Sequence, residues 1–255
     1  TEEIVTAAAP KAGYQYETVG GEDTQFSMLK ELELSAEQQE GLASHCRQRD
    51  ITYVCTPYDV QSAAMLDQIG VTAYKIASTD ATNTPFLRHV ADFGRPTILS
   101  TGMTTLSEVE DAVLALAGVG DQLAILHCTS EYPAPPEESN LAAMQALRLA
   151  FQVPIGFSDH TSGVGVSPYA VVAGANIVEK HFSLDRSMVG PDHRASIEPV
   201  ELSQLVEDVR MVEGAMGNGI KKPTSSERAN MPAMRKSIVT ARAITAGELL
   251  NIENT

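Results

Sequence analysis

Residues Val153–Thr161 read VPIGFSDHT, and this stretch decides between the folds open to the chain. Its first five residues are apolar and include β-branched side chains, a pattern typical of a strand that is buried on both faces. The next residues, from Ser158 on, are polar and chemically reactive. The stretch therefore predicts a buried parallel strand over Val153–Asp159 whose carboxyl end carries functional side chains.

Five similar apolar runs flank this one and also end in polar residues. They are Ile51–Thr56, Ala73–Ser78, Pro96–Thr101, Leu123–Thr129 and Asn176–Phe182. Helical patterns lie between the runs: Ser35 and Gln38 form a capping box, Pro85 begins a second helix, and Pro199 begins the last one. Strands that alternate with helices predict a parallel α/β sheet.

A doubly wound sheet and a (βα)8 barrel would both show this alternation. No glycine-rich phosphate-binding fingerprint follows any of the predicted strands, and nearly every strand end carries a polar residue. In a barrel these ends converge on one site, whereas in an open sheet they spread along an edge. We therefore predict a TIM-type (βα)8 barrel.

The charge and composition exclude several classes of function. The 255 residues include 18 basic and 33 acidic residues, a net charge of −15, which disfavours nucleic acids and anionic membrane surfaces as partners. No apolar run approaches the roughly 20 residues that span a bilayer, and no secretory signal is visible. The three cysteines are too few for a disulfide framework. These features predict a cytoplasmic protein.

The composition changes after Gly219. We predict that residues 1–219 form the barrel domain and that the polar, proline-containing stretch 220–234 is a linker. The residues Ser237–Ala241 (SIVTA) indicate that a small β-rich domain begins within 235–255.

One histidine follows a predicted strand, and a second lies near the end of the next strand. His160 is in FSDHT and His181 in EKHF, so both imidazoles stand at the carboxyl ends, where the strands of a barrel converge, and can share a divalent cation. The alternative is that each is a hydrogen-bonded structural histidine. His127, at the end of its own strand, is a third candidate ligand for which a core role is equally open.

Lys75 interrupts an otherwise apolar strand, and a buried ammonium needs an anionic partner. That partner is a carboxylate neighbour, or a phosphate or carboxylate of a substrate; a Schiff-base lysine is a further option. Four predicted strands have a residue with a hydroxyl group at or next to their carboxyl end: Thr56, Ser78, Ser100 and Ser158. These hydroxyls can bind the same anion, or each can cap the helix that follows its strand. Glu179 and Asp192 are candidates for acid–base work or for orienting the histidines.

Several stretches together resemble the N-acetylneuraminate (sialic acid) synthase family. The matching motifs are KIAS at Lys75–Ser78, ILSTGM at Ile98–Met103, HCTSEYPAP at His127–Pro135, GFSDHT at Gly156–Thr161, EKHF at Glu179–Phe182, GPDH at Gly190–His193 and RKS at Arg235–Ser237. The resemblance implies a barrel followed by a small antifreeze-like (SAF) domain. It also implies a transferase that condenses phosphoenolpyruvate with an N-acyl amino sugar, N-acetylmannosamine or a relative, to give a nonulosonic acid and phosphate.

The same resemblance implies roles for individual positions. His160 and His181 match metal ligands, with Mn²⁺ expected ahead of Mg²⁺ or Co²⁺. The positions that match phosphoenolpyruvate-binding residues are Thr56, Lys75, Ser78, Ser100, Ser130 and Ser158. The positions near the sugar or the reacting carbons are Tyr132, Glu179 and Asp192. Asp80 stands where many members have Glu, which shortens a carboxylate in the sugar site and leaves the acceptor sugar open.

Some parts of the family pattern are not found. The family begins with a Glu-x-Gly-x-Asn-His strand and a lysine-bearing strand, and neither motif occurs here. We therefore expect a barrel that lacks its first two βα units, followed by the start of the SAF domain, in a chain truncated at both ends. For the full-length protein the resemblance implies a homodimer.

Two other kinds of function remain open at this point. Another barrel that adds phosphoenolpyruvate to an aldose, or an aldolase that uses Lys75 as a Schiff base, would have similar strand ends. A non-catalytic sugar-binding protein that kept the barrel would bind ligands without releasing phosphate.

Overall fold

The computed structural model describes residues 1–19 and 24–255. Within these residues, five parallel strands form one sheet whose order in space follows the order along the chain. The strands are β1 (Tyr74–Ile76), β2 (Thr97–Ser100), β3 (Leu123–Cys128), β4 (Ile155–Asp159) and β5 (Val178–Lys180). Parallel neighbours need crossover connections, and helices supply them.

Ten α-helices occur in the described part of the chain. They are α1 (Gly13–Val19), α2 (Gln25–Leu32), α3 (Ala36–Gln48), α4 (Val60–Ile69), α5 (Thr84–Ala91), α6 (Leu106–Ala115), α7 (Ala143–Phe151), α8 (Ser167–Val172), α9 (Pro199–Met216) and α10 (Ser225–Met234). Each of these helices is too short or too polar to cross a lipid bilayer.

The strands present two chemically different faces, because successive side chains alternate. One face packs against the helices and forms the core, with Tyr74, Leu99, Ile125 and Phe157 at most 1% exposed. The other face carries the polar and reactive side chains of Lys75, Ser100, Cys128, Ser158 and Glu179.

The sheet is strongly curved towards its polar face. Lys75 lies in β1 and Glu179 in β5, the two outermost strands, yet Lys75 Nζ is 3.5 Å from Glu179 Oε1. In a flat sheet these two strands would be about 19 Å apart, at about 4.8 Å for each of four spacings. The sheet is therefore a half-barrel with a concave polar face.

The predicted strand over Ile51–Thr56 is wrong. Only Cys55 forms a bridge, to Tyr74, with Cys55 O accepting a hydrogen bond from Lys75 N at 3.4 Å. Ile51 is 62% exposed. A strand needs a ladder of backbone hydrogen bonds, and β1 is only three residues long and offers this segment a single rung. Five strands thus form where six were predicted.

Several predicted helix starts are confirmed. Ser35 Oγ accepts a hydrogen bond from Gln38 N at 3.2 Å, and Gln38 Oε1 accepts one from Ser35 N at 2.8 Å, which is the predicted capping box at α3. Pro85 occupies the first turn of α5, and Pro199 begins α9. Along α9, Leu205 is the one buried residue.

Residues 217–255 form a second compact unit, separate from residues 1–216. The stretch 220–234, predicted as a linker, contains helix α10, which begins with a capping box between Thr224 and Glu227. Residues 235–255, predicted to be β-rich, contain turns and no strand. Within this stretch, Ala241 N donates a backbone hydrogen bond to Asn254 O. The side chain of Ile252 is 94% exposed. One such bond does not make a ladder, so the SAF domain stays a prediction.

Candidate active site

The candidate site lies at the carboxyl ends of the strands, on the concave face. His160 directly follows β4 and His181 directly follows β5. Their rings stand edge to face with centroids 5.3 Å apart. The structure thus brings together the two histidines that the sequence proposed as a pair.

His160 presents a free lone pair to the concave face. Its Nδ1 lies 2.6 Å from Thr129 O, and because a carbonyl can only accept, Nδ1 carries the proton. Its Nε2 lies 3.4 Å from Ser158 Oγ, but that hydroxyl donates its single proton to Glu179 Oε1 at 2.7 Å. Burial also lowers the pKa of His160, which favours the neutral ring that a metal ion requires.

His181 faces the carboxylate of Asp192. The distance from His181 Nδ1 to Asp192 Oδ2 is 3.9 Å, and Asp192 Oδ1 is buried with no hydrogen-bond partner among the described residues. No group of three or more His, Cys, Asp or Glu side chains in residues 1–19 and 24–255 is arranged to hold a metal ion. The donors that fit a divalent cation are therefore two imidazoles, with an unsatisfied carboxylate oxygen beside one of them.

Tyr132 forms a wall against both histidines. Its ring centroid lies 4.2 Å from that of His160 and 5.4 Å from that of His181, and the latter contact is edge to face. Tyr14, from α1, packs against Tyr132 with ring centroids 5.0 Å apart. Burial and the charge of Asp192 raise the pKa of Tyr14 to about 12, so its hydroxyl stays protonated. Sequence reasoning missed Tyr14, because nothing in the local pattern connects α1 to the loop after β3.

Lys75 has the carboxylate neighbour that its buried position demands. Besides Glu179, its ammonium contacts the backbone, donating to Ile76 O at 3.1 Å. Glu179 in turn accepts from Ser158. Glu179 therefore connects the cationic end of the site to the histidine end.

Several predicted hydroxyls form a cradle around Gly102. Gly102 N donates to Ser78 Oγ at 2.9 Å, and Ser78 Oγ lies 3.0 Å from Cys128 Sγ. A Cβ at Gly102 would lie 2.2 Å from Ser130 Oγ, so the backbone approaches this close only because the residue is glycine. Ser100 Oγ is buried and has no partner in the described part of the chain. It is free to bind an anion.

Thr56 and Asp80 lie at the β1 side of the site. Thr56 follows Cys55, the bridge partner of β1. Asp80 lies in the turn after β1, is 8% exposed, and accepts a hydrogen bond from Asn83 Nδ2 at 3.0 Å. Burial raises the pKa of Asp80.

Tyr58 is a further residue that sequence reasoning missed. Its pKa is raised by burial and then by the charges of Asp80, Asp192 and Glu179. The Tyr58 side chain is 44% exposed, and the charges that raise its pKa belong to three carboxylates of the site. No motif in the sequence marks it.

His127 does not belong to this group. It lies on the helix-facing side of β3, its ring packs against Phe157 with centroids 5.9 Å apart, and its Nε2 lies 2.9 Å from Ser139 O. Burial lowers its pKa. Of the two roles open for His127, the structure shows the core role, because the alternation along β3 turns the ring away from the concave face.

Known proteins resemble this chain in sequence and in fold. The model of the NeuB family matches residues 1–221. The N,N'-diacetyllegionaminic acid synthase of Campylobacter jejuni is 42% identical over 98% of this chain and 76% of its own length, and that of Legionella pneumophila is 40% identical over 98% and 72%. The crystal structure of N-acetylneuraminic acid (sialic acid) synthetase from Leptospira borgpetersenii, in complex with citrate, superposes with a TM-score of 0.77 at 35% identity, covering 83% of this chain and 75% of that one. The chain belongs to the NeuB family.

Proposed function

We propose that this chain condenses phosphoenolpyruvate with an N-acyl amino sugar and one water molecule, giving a nonulosonic acid and inorganic phosphate. The observation that carries the proposal is the position of Glu179 between the Lys75 ammonium and Ser158, which itself faces His160. An anion-binding group and a pair of candidate metal ligands thus share one concave face. A condensing enzyme needs both, because it must hold an anionic donor against an aldehyde acceptor.

Phosphoenolpyruvate would bind at the β1–β3 side of the face. The Lys75 ammonium supplies the positive charge, and the hydroxyls of Ser78 and Ser130 with the unpartnered Ser100 Oγ supply neutral donors. Such fixed donors need no reorganisation as charge moves during the reaction. They would hold phosphoenolpyruvate in one orientation beside Glu179.

The histidine end fits a divalent cation, with Mn²⁺ as our first choice. His160 Nε2 and His181 would hold it, leaving the remaining positions to the sugar and water. When bound, such an ion polarises the aldehyde oxygen of the open-chain sugar as a Lewis acid. Asp192, whose Oδ1 has no partner among the described residues, and Glu179 would accept and return protons beside the reacting carbons.

The aromatic wall favours a sugar with acetamido groups. Tyr132 and Tyr14 offer apolar ring surface beside the histidines, while Tyr58 offers a phenolic donor within the field of Asp80. The two synthases at 42% and 40% identity are named for a product with two acetyl groups. We therefore propose a diacetamido hexose of the legionaminic acid type as the preferred acceptor, ahead of N-acetylmannosamine.

Phosphate release tests the proposal. The purified protein is incubated with phosphoenolpyruvate, Mn²⁺ and either sugar, and we expect phosphate only when a sugar is present, faster with the diacetamido sugar, and none after treatment with a chelator. If no phosphate is released with either sugar in the presence of Mn²⁺, Mg²⁺ or Co²⁺, the condensation is contradicted. Equal activity with and without the chelator would contradict the metal. Trapping of a Lys75 adduct by borohydride would instead favour the Schiff-base aldolase.

A further inference from the structure

The last rung between β4 and β5 is a buried ion pair. Asp159 and Lys180 are register partners, Asp159 Oδ2 lies 3.1 Å from Lys180 Nζ, and their side chains are 0% and 3% exposed. The residue directly after each strand is a candidate metal ligand, His160 or His181. Because successive side chains alternate between the faces of a sheet, the ion pair lies on the helix-facing side and the histidines on the concave side.

The pair also fixes Thr161, the residue after His160. Asp159 Oδ1 accepts from Thr161 N at 2.8 Å and from Thr161 Oγ1 at 2.7 Å, and Lys180 Nζ donates to Thr161 O at 2.6 Å. Ser167 Oγ, at the start of α8, donates to Asp159 Oδ2 at 2.5 Å. His160 is thus held between two residues whose positions the ion pair sets.

Gly165 closes the loop over the pair. It has a φ of +60°, and a Cβ at this position would lie 1.9 Å from Thr161 Oγ1, 3.1 Å from Asp159 Oδ2 and 3.2 Å from Lys180 Nζ. Only glycine lets the backbone come this close in the left-handed conformation. The chain therefore covers these charges with its own backbone.

A buried ion pair of this kind contributes little to the free energy of unfolding. Removing two charges from water costs about as much as their attraction returns, and apolar replacements of similar volume are often equally stable. What a saturated buried pair does supply is a fixed geometry for the groups around it. The groups around this one are the backbone atoms on either side of His160 and the strand that leads to His181.

We propose that Asp159 and Lys180 are a positioning pair that sets the separation and ring orientation of His160 and His181, and through them the affinity of the site for a divalent cation. The cation part of the inference rests on the proposed function. The positioning part concerns the metal-free protein and is measured there.

The test compares two variants with a matched control. Lys180→Met removes the charge and keeps the apolar stem, and Asp159→Asn removes the opposite charge and keeps the acceptor for Thr161. Asp67→Asn is the control, because it breaks the Asp67–Arg95 ion pair, with 2.6 Å between Oδ1 and Nη2, away from the histidines. The nitrogen NMR signals of the histidine rings are recorded without metal, and Mn²⁺ binding is then measured by calorimetry.

In the unaltered protein we expect His160 to be locked as the Nδ1-protonated tautomer. In Lys180→Met and Asp159→Asn we expect averaged ring signals and Mn²⁺ affinity lower by about 10-fold or more, the range found when groups that orient metal ligands are removed. In Asp67→Asn we expect both to stay unchanged.

Unchanged ring signals in the folded variants would overturn the inference, whatever the affinities. So would an equal loss of Mn²⁺ affinity in Asp67→Asn, because the effect would then be general destabilisation. If Lys180→Met does not fold, the milder Asp159→Asn decides. If the unaltered protein binds no Mn²⁺ while the ring signals change in the variants, the proposed cation is wrong and the positioning role stands.

Discussion

Lys75 and Glu179 form an ion pair of 3.5 Å although they come from the two outermost strands of the sheet. The pair forms because the sheet curls, and it neutralises a nearly buried ammonium that would otherwise be costly. An incoming anion must share Lys75 with Glu179. Binding of the anion would therefore weaken the contact between Lys75 and Glu179 and leave Glu179 freer to interact with Ser158 and the histidines. In this way the anion end and the histidine end of the site would be coupled.

Loss of the Lys75 charge should weaken the anion site. In Lys75→Met we expect the KM for phosphoenolpyruvate to rise and kcat to fall, each by roughly 10-fold or more, since hydrogen bonds to charged groups are worth about 1.5–3 kcal/mol. Steady-state kinetics with phosphoenolpyruvate as the varied substrate gives both constants. Lys30→Met is the matched control, because Lys30 pairs with Glu33 on the exposed surface of α2. A normal KM in Lys75→Met would make the Glu179 contact a purely structural ion pair.

The two histidines should be required for metal binding, and the third should not. His160→Ala and His181→Ala should each abolish turnover and Mn²⁺ binding, because one imidazole makes a poor site. His127→Ala should lower the melting temperature, as a core substitution, and leave Mn²⁺ affinity intact. Calorimetric titration of all three variants checks this. Wild-type Mn²⁺ affinity in His160→Ala or His181→Ala would contradict the two-histidine centre.

The sequence predicts best where local chemistry alone decides the structure. The capping box at Ser35 and the polar carboxyl ends of β2–β5 depend on neighbours along the chain, and the structure has them as expected. The segment Ile51–Thr56 has the composition of a strand but lacks a partner long enough to make it one. Composition reports the propensity for a strand, whereas a strand forms only where hydrogen-bonded rungs exist.

The site shows the same division. His160 and His181 are found from the sequence because each follows its own strand, and parallel strands bring their ends together. Tyr14 packs against Tyr132 from α1, and Tyr58, in the loop before α4, has its pKa raised by carboxylates of the site; no periodicity in the sequence marks either residue. Their positions depend on tertiary packing, which local pattern does not contain.

The buried Asp80 carboxyl should make stability depend on pH. Burial raises the folded-state pKa of Asp80 above its unfolded value, so folding favours the protonated form and the free energy of unfolding falls as pH rises through that folded pKa. Asp80→Asn removes this penalty. We expect the variant to melt above the unaltered protein at pH 7 and level with it well below the unfolded pKa of about 4.

Asp185 provides a control of opposite sign. It is exposed, and hydrogen bonds from Ser187 lower its pKa, so its contribution is present at neutral pH and lost in acid. Asp185→Asn should therefore melt at or below the unaltered protein at pH 7, with the difference vanishing in acid. If the melting curves of Asp80→Asn differ from those of the unaltered protein by the same amount at every pH, the titration of Asp80 is not the cause.

Tyr14 should act on the sugar and not on phosphoenolpyruvate. Its ring stacks on Tyr132, which packs against His160 at the end of the site where we place the sugar. An aromatic pair of this kind is worth about 0.5–1.5 kcal/mol beyond its buried area, so Tyr14→Ala should raise the sugar KM by up to about 10-fold. Tyr14→Phe keeps the ring and should behave almost as the unaltered protein. Tyr16→Ala changes the same helix at a side chain that is 47% exposed and should change neither KM. The measurement is steady-state kinetics with each substrate varied in turn, and an equal rise of both KM values in Tyr14→Ala would show that α1 supports the whole site and not the sugar end.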